Sequence, residues 1–450
     1  MEMNVKDKKI LVCGVARSGV AAAKLLNKLG AVVTLQDLKP AEKLNVSISG
    51  LEADGIKLYL EHNPDGIVTE FDLIIISPGI PLELPFVERA KAAGVPIIGE
   101  IELAYEFCPC PITAVTGTNG KTTTTALIGD IMKAYKPHTA VVGNIGDPFA
   151  EHVTALTEND WVVAEISSFQ LETITLFHPK ISLVLNVTPD HLERHKTMER
   201  YIGLKESIGK NQTAEDYMIL NADDLICRKL KTNARRIFFS RLNKLDEGVF
   251  LNGRYIHAKI DNLDEDLFDV NDMNIFGNHN VENALAAVAA GICADVPLDI
   301  VKRSVLNFQA VEHRIEFTRE LNGIRFYNDS KATNTDAAIK AIEAMHDPIV
   351  LIGGGYDKQA DFSEWIKSFD GRVRHLVIMG EVADKIEETC RACSFTSFER
   401  VNSLRDAVDA AYGKAEKGDC VLLSPACASW DMFDDYEQRG RLFKEFVNLL

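Results

Sequence analysis

The chain has 450 residues, 46% apolar and 26% charged, with a formal net charge of −17. That length makes room for about two to four domains. The acid excess disfavours nucleic acid and anionic membranes as partners, and no apolar run reaches the roughly 18 residues of a membrane helix. The start, "MEMNVKDKKILVCG", goes straight into a strand-like run without a signal peptide's apolar segment, so a cytoplasmic protein is expected. Nine scattered cysteines, including the isolated Cys390/Cys393 pair, read as reduced structural thiols.

Strand-like and helix-like runs alternate along the chain, which predicts an α/β protein with largely parallel sheets. Three blocks follow one another, at 1–99, 100–309 and 310–450. In the first, "KKILVCG" reads as a buried strand, "SGVAAAKLLNKLG" as a helix closed by Gly30, and "AVVTLQD", "DLIIISPGI" and "GVPIIG" as further strands. Gly14 and Gly19 follow the first strand, but Ala16 replaces the middle glycine of G-x-G-x-x-G. Asp37 ends the second strand, where a ribose-binding acid would sit. A dinucleotide coenzyme, a nucleotide-linked substrate and a bare structural turn all fit this pattern.

The second block opens with "PITAVTG" and then "GTNGKTTTTAL". Val115 stands where G-x-x-x-x-G-K-[ST] has its leading glycine, while Gly117, Gly120, Lys121 and Thr122 are present. Glycines let the backbone curl against a ligand, and the loop amides and helix N-terminus favour phosphate. Lys121 can reach the terminal phosphates, and the Thr122 hydroxyl is placed for Mg²⁺. A helix is expected from Thr122, with Leu127, Ile128, Ile131, Met132 and Tyr135 facing the sheet.

Strands at "WVVAEISS", "KISLVLNV" and "DYMILNADD" put Glu165 at one strand end and Asp190-His191 just past another. Strand C-terminal ends share one rim in a parallel sheet, so Glu165 and His191 are candidates for metal ligation beside a nucleotide. "RYIGLKESIGKN" reads as a helix with Tyr201, Leu204 and Ile208 on one side. Beside them Lys205 is expected to run its stem along apolar surface. A hairpin is predicted around Asn252-Gly253, and a helix over "NVENALAAVAAGICA". The third block has strands at "IRFYNDS", "PIVLIGGG", "VRHLVIMG" and "DCVLLSP", with a helix at "SLRDAVDAAYGKAE".

Together, G-T-N-G-K-T at 117–122, "EISSFQL", "NVTPDHLERH", "GNHNVENALAA", "EHRIE", "NDSKATN" and "LLSPACASWDMFDDYEQRG" resemble the Mur ligases of bacterial cell-wall synthesis. The last two motifs are most similar to the D-glutamate-adding branch. The resemblance implies three domains: N-terminal Rossmann-like, a central P-loop-type ATPase sheet, and C-terminal Rossmann-like. It implies ATP-driven amide synthesis in peptidoglycan precursor formation. The L-alanine carboxylate of UDP-N-acetylmuramoyl-L-alanine would become an acyl phosphate, and the amine of D-glutamate would displace the phosphate.

Site roles follow from the same resemblance. Gly117, Thr118, Asn119, Gly120, Lys121, Thr122 and Thr123 would hold ATP, with Asn280 and Asn283 on the adenine side and Arg314 and Asp329 facing the nucleotide. Thr122 and Glu165 would hold one Mg²⁺. His191 and a CO₂-derived carbamate on Lys205 would serve a second, so Lys121, Glu165, His191 and Lys205 form the catalytic set. Gly14, Arg17, Ser18, Gly19, Asp37 and the Ser77-Pro78-Gly79 turn would take the UDP end, and Asn144 the muramoyl-alanine part. Lys331, Thr333, Lys358, Ser429 and Tyr436 would take the two carboxylates of D-glutamate; Tyr436 stands where relatives often have Phe. Small-molecule substrates, a monomer, and no nucleic-acid or membrane partner are expected. A sister ligase with another amino acid or a folylpolyglutamate-type activity, and a non-catalytic nucleotide-gated protein, are the alternatives.

Overall fold

Short apolar runs rich in Val, Ile and Leu form the central strands, because a parallel sheet covered on both faces needs apolar side chains on both. The computed structural model describes residues 3–44, 47–144, 146–275, 277–309, 312–345, 347–358 and 360–450. The expected boundary at 309/310 adjoins Ala310 and Val311, which lie outside the described residues.

The first sheet contains β1 (Lys9–Cys13), β2 (Val32–Asp37), β3 (Lys57–Leu60), β4 (Leu73–Ile76) and β5 (Ile97–Ile98) in the order β3-β2-β1-β4-β5. All its pairings are parallel. Its order reverses between β1 and β4, and such a switch point opens a crevice at the strand C-termini.

The second sheet comprises β6 (Ile112–Thr116), β7 (Ala140–Gly143), β8 (Val162–Glu165), β9 (Ile181–Val184), β10 (Tyr217–Asn221), β11 (Arg235–Ser240), β12 (Gly248–Asn252), β13 (Tyr255–Ile260) and β14 (Leu263–Asp269). Its order is β14-β13-β12-β11-β10-β9-β6-β8-β7, and β6, wholly buried, lies between β9 and β8. The β12–β13 hairpin turns where Asn252-Gly253 predicts it, with Gly253 at φ +66°.

The third sheet contains β15 (Glu316–Leu321), β16 (Ile324–Asn328), β17 (Ile349–Gly354), β18 (Val373–Met379), β19 (Phe398–Arg400) and β20 (Cys420–Leu423), ordered β15-β16-β20-β17-β18-β19. Among the described residues, only the β15–β16 pair of its named strands is antiparallel.

One apolar core runs through the first two sheets, from Val5 to Ala234. The chain divides into two compact units. The first holds Met1–Val187, Arg194–Val270 and Glu282–Leu306; the second holds Thr188–Glu193, Asn271–Val281 and Asn307–Leu450. Among the described residues no helix is long and apolar enough to cross a membrane.

Three local expectations need correction. The helix after the phosphate loop is Lys121–Tyr135, and Tyr135 at its last turn is 38% exposed instead of facing the sheet. In the helix Met198–Glu206 the inward face carries Tyr201 and Lys205, followed by buried Ile208, while Leu204 is half-buried. Lys205 does not reach for water along an apolar surface; it is 1% exposed, its Nζ 4.5 Å from the Tyr201 ring centroid.

Candidate functional site

β6 delivers the chain to Gly117 at φ +153° and Gly120 at φ +82°, so the loop uses backbone conformations that favour glycine. A Cβ on Gly120 would stand 2.4 Å from Asn283 Oδ1, and one on Gly117 3.0 Å from Leu185 Cβ. The helix behind the loop has no side-chain cap, which leaves its first amides to a ligand. Lys121 folds back over the loop, and its Nζ donates to Gly117 O at 2.9 Å and Thr118 O at 2.8 Å. Asn186 braces the turn from the end of the next strand. Asn119 N donates to Asn186 Oδ1 at 2.8 Å, and Asn186 Nδ2 returns a bond to Asn119 O at 3.0 Å. Thr122 and Thr123 are buried beneath the loop, and Asn283 Oδ1 accepts from Thr124 Oγ1 at 3.2 Å.

Glu165 ends β8, the neighbour of β6, and is 1% exposed. Its Oε1 accepts from Asn144 Nδ2 at 2.7 Å, while Oε2 is buried and has no hydrogen-bond partner among the described residues. An orphaned carboxylate oxygen in a buried site is costly unless something absent from the protein satisfies it, and a hard oxygen donor on the strand paired with the one that feeds the phosphate loop fits Mg²⁺. Lys205 reaches the same neighbourhood through Tyr201, whose hydroxyl lies 3.1 Å from Thr118 Oγ1.

In the first sheet, Gly14 and Ser77 follow β1 and β4 at the switch point. A Cβ on Gly14 would lie 2.6 Å from Ser77 Oγ, and one on Gly19 only 1.9 Å from Gly14 O. Both glycines are therefore required for packing the helix Arg17–Lys28 against the turn. Asp37 Oδ2 accepts from Val15 N at 2.8 Å, so this acid clamps the glycine turn. Arg17 is exposed and donates to Gly146 O at 2.7 Å; Ser18 is half-buried. Pro78 and Gly79 sit in a turn closed by Ile80 N donating to Ser77 O at 3.0 Å, with open space beside Gly79.

The second unit gathers the remaining residues at strand ends. Asp329 follows β16; its carboxyl accepts from Ser424 Oγ at 2.8 Å and Ile315 N at 3.2 Å. Burial pushes its pKa up to about 6, against the pull of the Arg314 guanidinium. Arg314 Nε is buried and without a hydrogen-bond partner among the described residues. Asn280 is buried on the helix Asn278–Cys293.

A cleft of about 620 Å³ is lined by His191, Thr333, Asn334, Tyr356, Lys358 and neighbouring residues. His191 holds φ +53°, and Asp190 Oδ1 accepts from its N–H at 3.0 Å. Burial lowers the imidazole's pKa; Asp190 and Glu193 raise it, and the nearby Lys358 ammonium lowers it again, for a net fall. The neutral ring this favours is the form that can ligate a metal. Lys331 Nζ donates to Tyr436 Oη at 2.7 Å, so Tyr436's hydroxyl does contribute a contact that Phe would not. Ser429 is buried. Lys331, Tyr436 and Ser429 are not among the cleft's lining residues, whereas Thr333 and Lys358 are.

The sequence reading passed over Asn186 and Arg439. Arg439 is fully buried, donating from Nε to Ser330 Oγ at 2.9 Å and from Nη2 to Ser330 O at 2.8 Å and Cys427 O at 3.1 Å. It ties the β16 and β20 loops together, and burial lowers its pKa to about 10. Its position in "YEQRG", on the inward side of a terminal helix, was the available signal.

A buried strand, a glycine-threonine loop with left-handed glycines and an uncapped helix on a mostly parallel sheet define a P-loop-type α/β nucleotide-binding protein. Within that class the chain belongs to the Mur ligase family. The MurD-like N-terminal domain of Mur ligases matches residues 8–99, the Mur ligase middle domain 115–291, and the Mur ligase glutamate ligase domain 313–427. The UDP-N-acetylmuramoylalanine--D-glutamate ligase of Alkaliphilus metalliredigens is 45% identical, over 100% of this chain and 99% of that relative. The protein of the same name from Clostridioides difficile is 44% identical over 100% of both. Among solved structures, the UDP-N-acetylmuramate-alanine ligase of Thermotoga maritima superimposes with a TM-score of 0.64 at 20% identity, covering 98% of this chain and 99% of that one. That likeness bears on the fold.

Proposed function

We propose that this protein is an ATP-dependent ligase that joins D-glutamate to UDP-N-acetylmuramoyl-L-alanine in peptidoglycan precursor synthesis. A carboxylate is a poor acyl donor until one oxygen becomes a leaving group. Phosphorylation by ATP supplies that leaving group, and the glutamate amine then displaces phosphate to form the amide. The protein's work is positioning and charge neutralisation.

The observation that carries the reading is the phosphate loop itself, with Lys121 drawn over it and the orphaned Glu165 oxygen beside it, in a chain alike end to end to D-glutamate ligases. Lys121 and the loop amides hold ATP, with Asn280, Asn283, Arg314 and Asp329 completing its site. Thr122, Glu165, His191 and a carbamate on Lys205 are the Mg²⁺ ligands, and Mg²⁺ supplies charge neutralisation between phosphates when bound. Residues 1–99 take the uridine diphosphate end at the Gly14–Ser77 crevice, 100–309 take ATP, and 310–450 take the amino acid. Lys331, Thr333, Lys358, Ser429 and Tyr436 are its carboxylate donors; charge-assisted bonds of this kind are the strong ones. The reading includes a cytoplasmic monomer with small-molecule partners alone.

The test is ADP release from the purified protein with Mg²⁺, ATP, UDP-N-acetylmuramoyl-L-alanine and a panel of amino acids. Release with D-glutamate is expected. Release with L-lysine or meso-diaminopimelate in its place would reject the assignment.

A further inference from the structure

The chain has three tryptophans, and two of them, Trp161 and Trp365, are buried core residues. Trp430 is 61% exposed. The indole is nonetheless occupied: Lys358 Nζ lies 5.6 Å from its ring centroid, and the Tyr356 ring packs beside it at 5.6 Å, tilted by 57°. The two loops that carry this group are fixed to each other by Tyr356 N donating to Ala428 O at 3.0 Å. Carboxylates are close by, but Asp357 is taken up by Lys385 at 3.2 Å. Among the described residues Lys358 makes no hydrogen bond or ion pair. Lys358 and Tyr356 line the 620 Å³ cleft.

We infer that Trp430 is a positioning residue for the amino-acid substrate. Its π face, attractive to cations, holds the Lys358 ammonium at the cleft without neutralising it. A flexible four-carbon stem is thereby ordered before the substrate arrives, and the ordering cost on binding falls. A carboxylate in the role of Trp430 would order the same lysine but would compete with the substrate's own carboxylate; an indole does not. This inference rests on the proposed function, because it takes Lys358 as a carboxylate donor to D-glutamate.

The experiment is steady-state kinetics of the full-length W430F, W430Q and W430A variants, with D-glutamate and ATP varied in turn. W430F keeps an aromatic face and should hold KM for D-glutamate within about twofold of the parent. W430Q and W430A should raise it about two- to fivefold, the size of an exposed cation–π contact. Turnover number and KM for ATP should stay within about twofold. Trifluorinated tryptophan at position 430 keeps the shape, weakens the ring's quadrupole, and should raise KM for D-glutamate as W430Q does. An unchanged KM in both W430Q and the fluorinated protein would overturn the inference while leaving the proposed function intact. Failure of the parent protein to release ADP with D-glutamate would overturn the proposed function, and this inference with it.

Discussion

At the scale of single residues, the site is a set of polar groups left incomplete by the protein. Lys121→Ala should abolish product formation while circular dichroism and melting temperature stay close to those of the parent, since the loop carbonyls of Gly117 and Thr118 that accept from Lys121 can be satisfied by water. Lys205→Arg keeps a cation but cannot be carbamylated. It should lower turnover at least about a hundredfold, and a ¹³C-bicarbonate-derived carbamate signal seen in the parent should vanish. A parent protein without that signal would remove the carbamate from the proposal. Asp329 carries a pH signature. Its folded-state pKa, about 6, lies above the 3.8 of an ordinary aspartate, so the folded protein binds the proton more tightly. Stability from this group is fully present below pH 3.8 and is lost as pH rises through 6, about 3 kcal/mol in all. Asp329→Asn should flatten that stretch of the stability–pH profile. The loop lysine and Glu165 were legible because strand, loop and helix occur there in fixed sequence order. Lys205's burial was not, because its helix reads as amphipathic only if a lysine is kept off the inner face.

At the scale of elements, the strands hardest to read are mostly those that end sheets. β3, β14, β15 and β19 sit at sheet edges, partly in water, and lack the unbroken apolar run that announces β4 or β17. Strands at switch points are the opposite case, buried on both faces, and they carry the site. Two substitutions test how tightly the elements meet there. Gly120→Ala forces a Cβ into the left-handed region and to 2.4 Å from Asn283 Oδ1. Nucleotide binding measured by calorimetry should be lost, with about 1–3 kcal/mol of stability. Arg439→Ala leaves the carbonyls of Ser330 and Cys427 buried without their donor. It should cost about 2–6 kcal/mol in denaturant unfolding, about 1–3 for each carbonyl left bare, whereas Arg439→Lys, lacking the fork, should recover only part. The sequence marks Arg439 merely as one charge on a polar helix; what it holds depends on loops from two distant strands.

At the scale of the whole molecule, charge and architecture pull apart. The chain is strongly acidic, yet its proposed ligands are anions, and Lys121, Arg314, Lys331 and Lys358 are the cations set against that background. Two compact units with separate cores predict more than one heat-absorption peak in scanning calorimetry. Asp329→Asn should shift only the peak of the unit that contains it. Three sheets were foreseeable from the alternation of runs. The assignment of Thr188–Glu193 and Asn271–Val281 to the unit built around the last third of the chain was not, because nothing local distinguishes those segments from their neighbours.

That interleaving bears on how the protein is made. During synthesis, the stretch bearing His191 leaves the ribosome long before β16, β17 and β20, the strands of the unit it joins. A nascent chain halted near Leu306 would hold two segments with nowhere native to go. That unit can therefore close only after its last strand and the helix Tyr436–Asn448 have emerged.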